Sequence, residues 1–159
     1  MSCCSKLFPI DKLSLQKMDY NGNELRTDGY YYCYYEETDI TSIYFLFRNG
    51  IIRDAGSYSR YNENNREQEM VSYYNRFSPI TDWGIFIIDS SKIQIEQWIE
   101  SPSGVYTSTI KRSGYIEDDT TFHIVESYYS ETKKTKQIDE VWHFKQLDNK
   151  PDSTNVYIK

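Results

Sequence analysis

Imidazole is available at only two positions in the chain, His123 and His143. Each lies in a run where apolar and polar side chains alternate, Phe122-His123-Ile124 and Trp142-His143-Phe144. In a strand, period-two geometry sends both rings to the face opposite their apolar neighbours. There they can approach one another across a hairpin, with Asp139 and Lys145 on the same face. A metal or acid–base centre needs a further converging ligand, so solvated strand histidines are the simpler reading. The cysteines stand at positions 3, 4 and 33, which leaves no Cys-x-x-Cys or Cys/His spacing for zinc. Cys33 sits among tyrosines with no basic neighbour in sequence to lower its pKa, which suits an inert buried thiol. Gly-x-Ser-x-Gly and glycine-rich phosphate loops are absent. The expectation is a protein that is not an enzyme, with no metal and no cofactor.

The opposite strand face carries the more productive set. Phe45, Phe47, Tyr106, Phe122, Ile124, Trp142 and Phe144 alternate onto apolar faces, and Ser108, Arg112, Glu126 and Glu140 share that parity. Burying a carboxylate is costly unless it is paired. Glu126 or Glu140 inside a fold therefore needs Arg112, a tyrosine, water or a ligand. The residues expected to bind a small apolar or amphipathic molecule are Phe45, Phe47, Tyr106, Arg112, Phe122, Glu140 and Trp142: aromatic walls around a few aimed polar groups. Two alternatives stay open, carboxylates at a watery mouth and a core filled by side chains. In the second case the tyrosines matter more, because Tyr31, Tyr35, Tyr58, Tyr61, Tyr128 and Tyr129 cannot all be core. Such a surface fits a protein–protein interaction or adhesion module of the cell envelope.

The elements that must position these residues are read from composition and period. Seventeen isoleucines against six leucines, sixteen tyrosines and one alanine (Ala55) favour pleated strands over helices. Tyr30–Tyr35 is a strand. Ile43–Arg48 and Ile51–Arg53 flank Asn49-Gly50, a strong hairpin signal that calls for positive φ at both turn positions. The period then changes: Met70, Tyr73, Tyr74 and Phe77 form one helical stripe within Asn62–Phe77, with Asn64 and Glu67 as a capping box and Pro79 as the stop. Strands resume at Trp83–Asp89, Lys92–Glu100, Tyr106–Arg112, Thr121–Ser130 and Ile138–Gln146. Ser113-Gly114 is read as a break, Lys133–Lys136 as a hairpin tip, and Val156–Ile158 as a last short strand. The fold class is all-β with one helix, an antiparallel up-and-down barrel of about eight or nine strands.

Eighteen basic against 24 acidic residues give a net charge of −6, without the clustered Lys and Arg of a nucleic-acid surface. No stretch reaches the ~18–20 apolar residues of a membrane-spanning helix. Cys3 and Cys4 at the edge of a cysteine-poor chain fit a lipid attachment point followed by a polar tether, residues 1–24, before a domain at 25–159. That reading places the protein at the cell envelope, lipid-anchored in the outer membrane or periplasm. An ordinary cytoplasmic start with two exposed thiols is the alternative.

The order of elements resembles the small lipocalin-like domains of bacterial lipoproteins. The resemblance rests on Leu25-Arg26-Thr27-Asp28-Gly29-Tyr30-Tyr31, Phe47-Arg48-Asn49-Gly50, Trp83-Gly84-Ile85-Phe86 and Val141-Trp142-His143-Phe144, and runs from about residue 25 to 158. It implies an antiparallel barrel with an apolar interior and, more weakly, carriage of a ligand. The chain lacks the Gly-x-Trp of the wider family's first strand, and its helix lies mid-chain rather than at the C-terminal end.

Overall fold

The computed structural model describes residues 10–59, 65–76, 78–101, 104 and 106–159. Eight strands form an antiparallel meander: β1 (Gly29–Tyr35), β2 (Ile40–Leu46), β3 (Ile51–Ser59), β4 (Trp83–Asp89), β5 (Lys92–Glu100), β6 (Thr107–Asp118), β7 (Thr121–Tyr129) and β8 (Lys134–Gln146). Each pairs with the next, and β1 closes on β8 through Gly29↔Gln146 to Tyr32↔His143. One helix, α1 (Arg66–Arg76), interrupts the meander between β3 and β4, followed by a 3₁₀ turn at Ile80–Asp82. The barrel and its single helix are those expected from the sequence. Of the predicted helix cap and stripe, Asn64 and Phe77 lie outside the described residues.

Three local expectations are corrected. β6 runs through Ser113-Gly114 without a break, its ladder to β7 absorbing a register shift there. A Cβ on Gly114 would lie 1.9 Å from the His123 carbonyl oxygen, so glycine is what permits the close approach. Val156–Ile158 is no strand: β8 is the last, and Ile158 packs on the outside of the barrel. The turn after β2 has only Gly50 at positive φ (+76°), with the Gly50 N–H donating to the Phe47 carbonyl at 3.0 Å. That is the pattern of a three-residue loop ending in a left-handed residue, not of a two-residue type I′ turn.

Gly50 is doubly constrained, since a Cβ there would come within 2.1 Å of the Met18 carbonyl oxygen. Gly50→Ala is therefore expected to destabilise the protein by more than ~1 kcal/mol, through strain at positive φ and displacement of the segment around Met18. Urea denaturation checks this. A midpoint equal to the parent's would mean that the turn relaxes freely.

Two apolar clusters divide the sheet. The inner one holds Tyr31, Tyr44, Leu46, Ile52, Phe86, Ile93, Ile95, Phe122, Ile124 and Trp142. The outer one holds Tyr30, Ile43, Phe45, Phe47, Ile51, Ala55, Trp83 and Trp98, and it is roofed by Met70 and Tyr74 of α1 with Leu13, Ile80, Leu147 and Ile158. A helix docked on one wall thus makes both faces of β2 apolar along Ile43–Leu46. Arg53 (1% exposed) sits in this outer layer. Its guanidinium lies over the rings of Tyr74 (3.5 Å) and Trp83 (4.7 Å) and 3.5 Å from Asp82. Lys150 of the C-terminal segment donates to the carbonyls of Thr27 and Leu46 and lies 4.4 Å from the centre of the Phe47 ring. Burial pushes its amine down to about 7, partly offset by Asp28.

Residues 10–24, read from sequence as tether, lie along the barrel. Asp11 N–H donates to Thr107 O, the Ser14 and Leu15 N–H groups both donate to Glu96 Oε2, and Tyr20 N–H donates to Arg48 O. Cys3 and Cys4 lie outside the described residues.

Candidate functional site

Cross-strand register decides which side chains enter the barrel, because directly opposed residues share a face. Cys33↔Ser42, Ser42↔Ser57 and Tyr44↔Asp54 carry the inner face across β1–β3. Gln97↔Ile110, Ile95↔Arg112, Arg112↔Ser127, Phe122↔Trp142 and Ile124↔Glu140 carry it across β5–β8.

The interior has two unlike halves. Towards the end where β1 begins, it is filled. Tyr44 stacks on Trp142 at 4.2 Å and 11°, and Phe122 lies parallel to Trp142 on a 5.9 Å centroid spacing. Tyr31 packs against Phe122 and Phe144. Leu25 and Tyr20 belong to this buried set, and the Leu25 N–H donates to the Tyr20 hydroxyl at 2.7 Å. Towards the other end the inward face turns polar: Tyr35, Ser42, Asp54, Ser57, Gln97, Arg112, Ser127 and Glu140, with Ile99, Ile110, Tyr129 and Ile138 among them.

At mid-barrel, the Arg112 Nη1 donates to the Tyr44 hydroxyl (2.7 Å) and to Gln97 Oε1 (2.9 Å). The Tyr44 hydroxyl also donates to Gln97 Oε1 at 2.7 Å. Trp142 Nε1 donates to Glu140 Oε2 (3.3 Å), and the Gly56 N–H donates to Asp54 Oδ1 (2.8 Å). Burial pushes the Asp54 carboxyl up, while the Gly56 N–H and Arg112 pull against it. Burial opposes charge on Arg112 too, yet Tyr44, Glu140, Tyr35 and Asp54 together hold its pKa above the ordinary value. Tyr35 is raised by burial and by Glu140, and Cys33 is pushed up to about 11 by burial and the same carboxylate, so its thiol is inert.

Two features set this half apart from the filled one. Tyr35, Asp54, Arg112, Ile138 and Glu140 point inward from a closed barrel and still keep part of their surface accessible. And among the described residues Arg112 hydrogen-bonds through Nη1 alone: its Nε is buried without an acceptor, as is the Ser127 Oγ across the ladder. The wall is also thin beside the recess. β3 and β4 are laddered from Ile51↔Ile85 to Arg53↔Trp83, and among the described residues these two strands form no further pairs.

Of the residues expected to form a site, the structure brings Arg112, Phe122, Glu140 and Trp142 together inside the barrel. Phe122 and Trp142 belong to its filled half. Phe45 and Phe47 are corrected: they face outward, into the layer under α1. Parity misplaced them because Ile43-Tyr44-Phe45-Leu46 is apolar on both faces. Tyr106 lies just before β6, its carbonyl accepting from the Ser101 N–H, and is not among the inner residues. Glu126 also faces outward, opposite Gln137, because a register shift between Ile124 and Glu126 reverses its parity. Tyr44, Asp54 and Gln97 were missed. Asp54 opposite Tyr44 depends on a bulge at Ala55-Gly56 (Gly56 φ +93°), which no alternation rule reveals.

The histidines face outward as expected. His123 Nε2 meets Asp139 Oδ1 at 2.5 Å and its Nδ1 meets the Tyr115 hydroxyl at 2.7 Å, with Glu117 3.8 Å away. His143 packs against Tyr32. Among the described residues no group of three His, Cys, Asp or Glu is placed to hold a metal. Of the tyrosines considered for a recognition surface, Tyr31 is core, Tyr35 and Tyr129 face inward and Tyr58 joins the outer layer; Tyr128 is exposed, and Tyr61 lies outside the described residues. No family model, curated protein or solved structure matches this chain.

Proposed function

We propose that this protein binds a small amphipathic molecule, without turning it over, in the polar half of its barrel. The observation that carries the reading is Arg112: an inward-pointing guanidinium that among the described residues hydrogen-bonds through Nη1 alone, in a recess that also presents Glu140, Asp54 and Tyr35. A charged donor left unpaired off the water surface is costly, so an occupant that accepts its hydrogen bonds is favoured. The ligand's polar group sits at mid-barrel, accepting from Arg112. Its apolar part runs past Ile99, Ile110, Tyr129 and Ile138. The filled aromatic half forms the floor. This is lipocalin-like carriage with a shallow cup. Lipid attachment at Cys3 or Cys4 would hold the cup at the cell envelope, and mass spectrometry of the native N-terminal peptide tests that part separately.

The cup itself is tested with prodan, a neutral naphthalene dye whose carbonyl accepts hydrogen bonds and whose emission reports polarity. Saturable one-to-one binding is expected. Arg112→Leu should weaken it about tenfold, the low end for a lost hydrogen bond to a charged group. Absence of saturable binding, or unchanged affinity in a folded Arg112→Leu variant, overturns the reading.

A further inference from the structure

A second recess lies on the outside of the barrel. Its floor is the outer face of β4 and β5, Ile85 and Trp98, and its walls are the two terminal segments. It is an open groove of about 480 Å³, a volume within the ~300–1,000 Å³ of small-molecule sites. The N-terminal wall is pinned rather than draped. Trp98 Nε1 donates to the Asp11 carbonyl at 2.7 Å, and Glu96 holds the Ser14 and Leu15 N–H groups.

Charge is distributed unevenly around it. Lys12, Lys17 and Lys159 line the recess, and among the described residues none of them makes a hydrogen bond or ion pair. The one acid there, Asp11, already accepts from Ser130 Oγ at 2.9 Å. So in a chain of net charge −6, this apolar slot is bordered by ammonium groups with no partner among the described residues and by an engaged carboxylate. Apolar walls select a hydrocarbon chain, and long lysine side chains reach from such a surface towards an anion while keeping their stems against it.

We propose that the recess between the terminal segments is a binding site for a single-chain anionic amphiphile, a long-chain carboxylate. The chain lies along Leu13, Ile85, Trp98 and Ile158, and the carboxylate meets Lys12 and Lys17. This site is separate from the barrel interior, because Ile85 and Trp98 face the opposite side of the sheet from Gln97 and Arg112.

The test is calorimetric titration of the full chain with dodecanoate below its micelle concentration, against dodecanol at matched concentration. One saturable dodecanoate site is expected in the Arg112→Leu background, where the barrel interior no longer offers its guanidinium to a carboxylate. In the double variant Lys12→Glu/Lys17→Glu of that background the site's affinity should fall at least tenfold, roughly 1.4 kcal/mol, while dodecanol binding changes less than twofold. The parent should show this same site with equal affinity beside any dodecanoate held by Arg112 in the barrel, which separates the two sites. The proposal is overturned by equal dodecanoate affinity in the double variant or by loss of binding in Arg112→Leu. It is equally overturned if the ligand-free protein sediments as a dimer that dodecanoate dissociates, since the recess would then belong to a second copy.

Discussion

Trp142→Ala is expected to be the most damaging single substitution in the barrel, costing about 3–5 kcal/mol in urea denaturation, the range for removing a large aromatic from a packed core. Trp142 is 1% exposed and lies between two parallel rings, Tyr44 on one side and Phe122 on the other. Removing it takes away both contacts and Glu140's indole donor, and leaves a flat slot that the strands cannot close, because both neighbours are fixed by ladder pairing. A dry slot of that shape should accept a planar apolar molecule, as engineered apolar cavities do. Indole added to the variant is therefore expected to raise its melting temperature, with no such effect on the parent. A loss below about 1.5 kcal/mol would show that Trp142 borders open space, and would move the cup's floor further down the barrel.

Strand order, the mid-chain helix and the hairpin at Gly50 were legible because each has a local cause: alternation, a 3.6-residue stripe, a glycine where φ must be positive. What alternation could not give is the side of the sheet. Phe45 and Phe47 alternate as regularly as Phe122 and Trp142, but the first pair faces the helix and the second the barrel. Both environments are apolar, so the pattern is the same from either side. Register shifts hid the rest. One bulge at Ala55-Gly56 brings Asp54 opposite Tyr44, and another near Val125 turns Glu126 outward while Glu140 stays in. Arg112 and Glu140 were legible for a different reason: a charged residue in the apolar phase of a strand is conspicuous whichever way the strand faces. Tyr44 and Gln97 were not, since their place in the polar half comes from the hydrogen bonds that tie them to Arg112.

Arg53→Met should separate the helix from the barrel wall in a pH-dependent way. Arg53 is 1% exposed and bridges three elements, lying on β3, over Tyr74 of α1 and beside Asp82 of the 3₁₀ turn. Methionine fills much of the same space, so the main loss is the charge. Burial raises the Asp82 carboxyl to about 6 even with Arg53 beside it, so Asp82 is mostly ionised at pH 7 and mostly protonated at pH 5. Its native pKa lies above its unfolded one. Protonation therefore favours the native state, and the stability linked to this group falls as pH rises from about 4 to 6. Without Arg53 the ionised carboxylate has no counter-charge and its pKa climbs further. The expected cost at pH 7 is about 2–3 kcal/mol, below the ~3–5 of a wholly buried pair because 12% of the Asp82 side chain remains exposed. At pH 5 the cost should fall by at least half, because the proton replaces the lost partner. The double variant Arg53→Met/Asp82→Leu should recover most of the loss at pH 7, since two apolar groups leave no buried charge to compensate. Equal costs at pH 5 and pH 7, with no recovery in the double variant, would show that the Arg53–Asp82 charge pair contributes nothing.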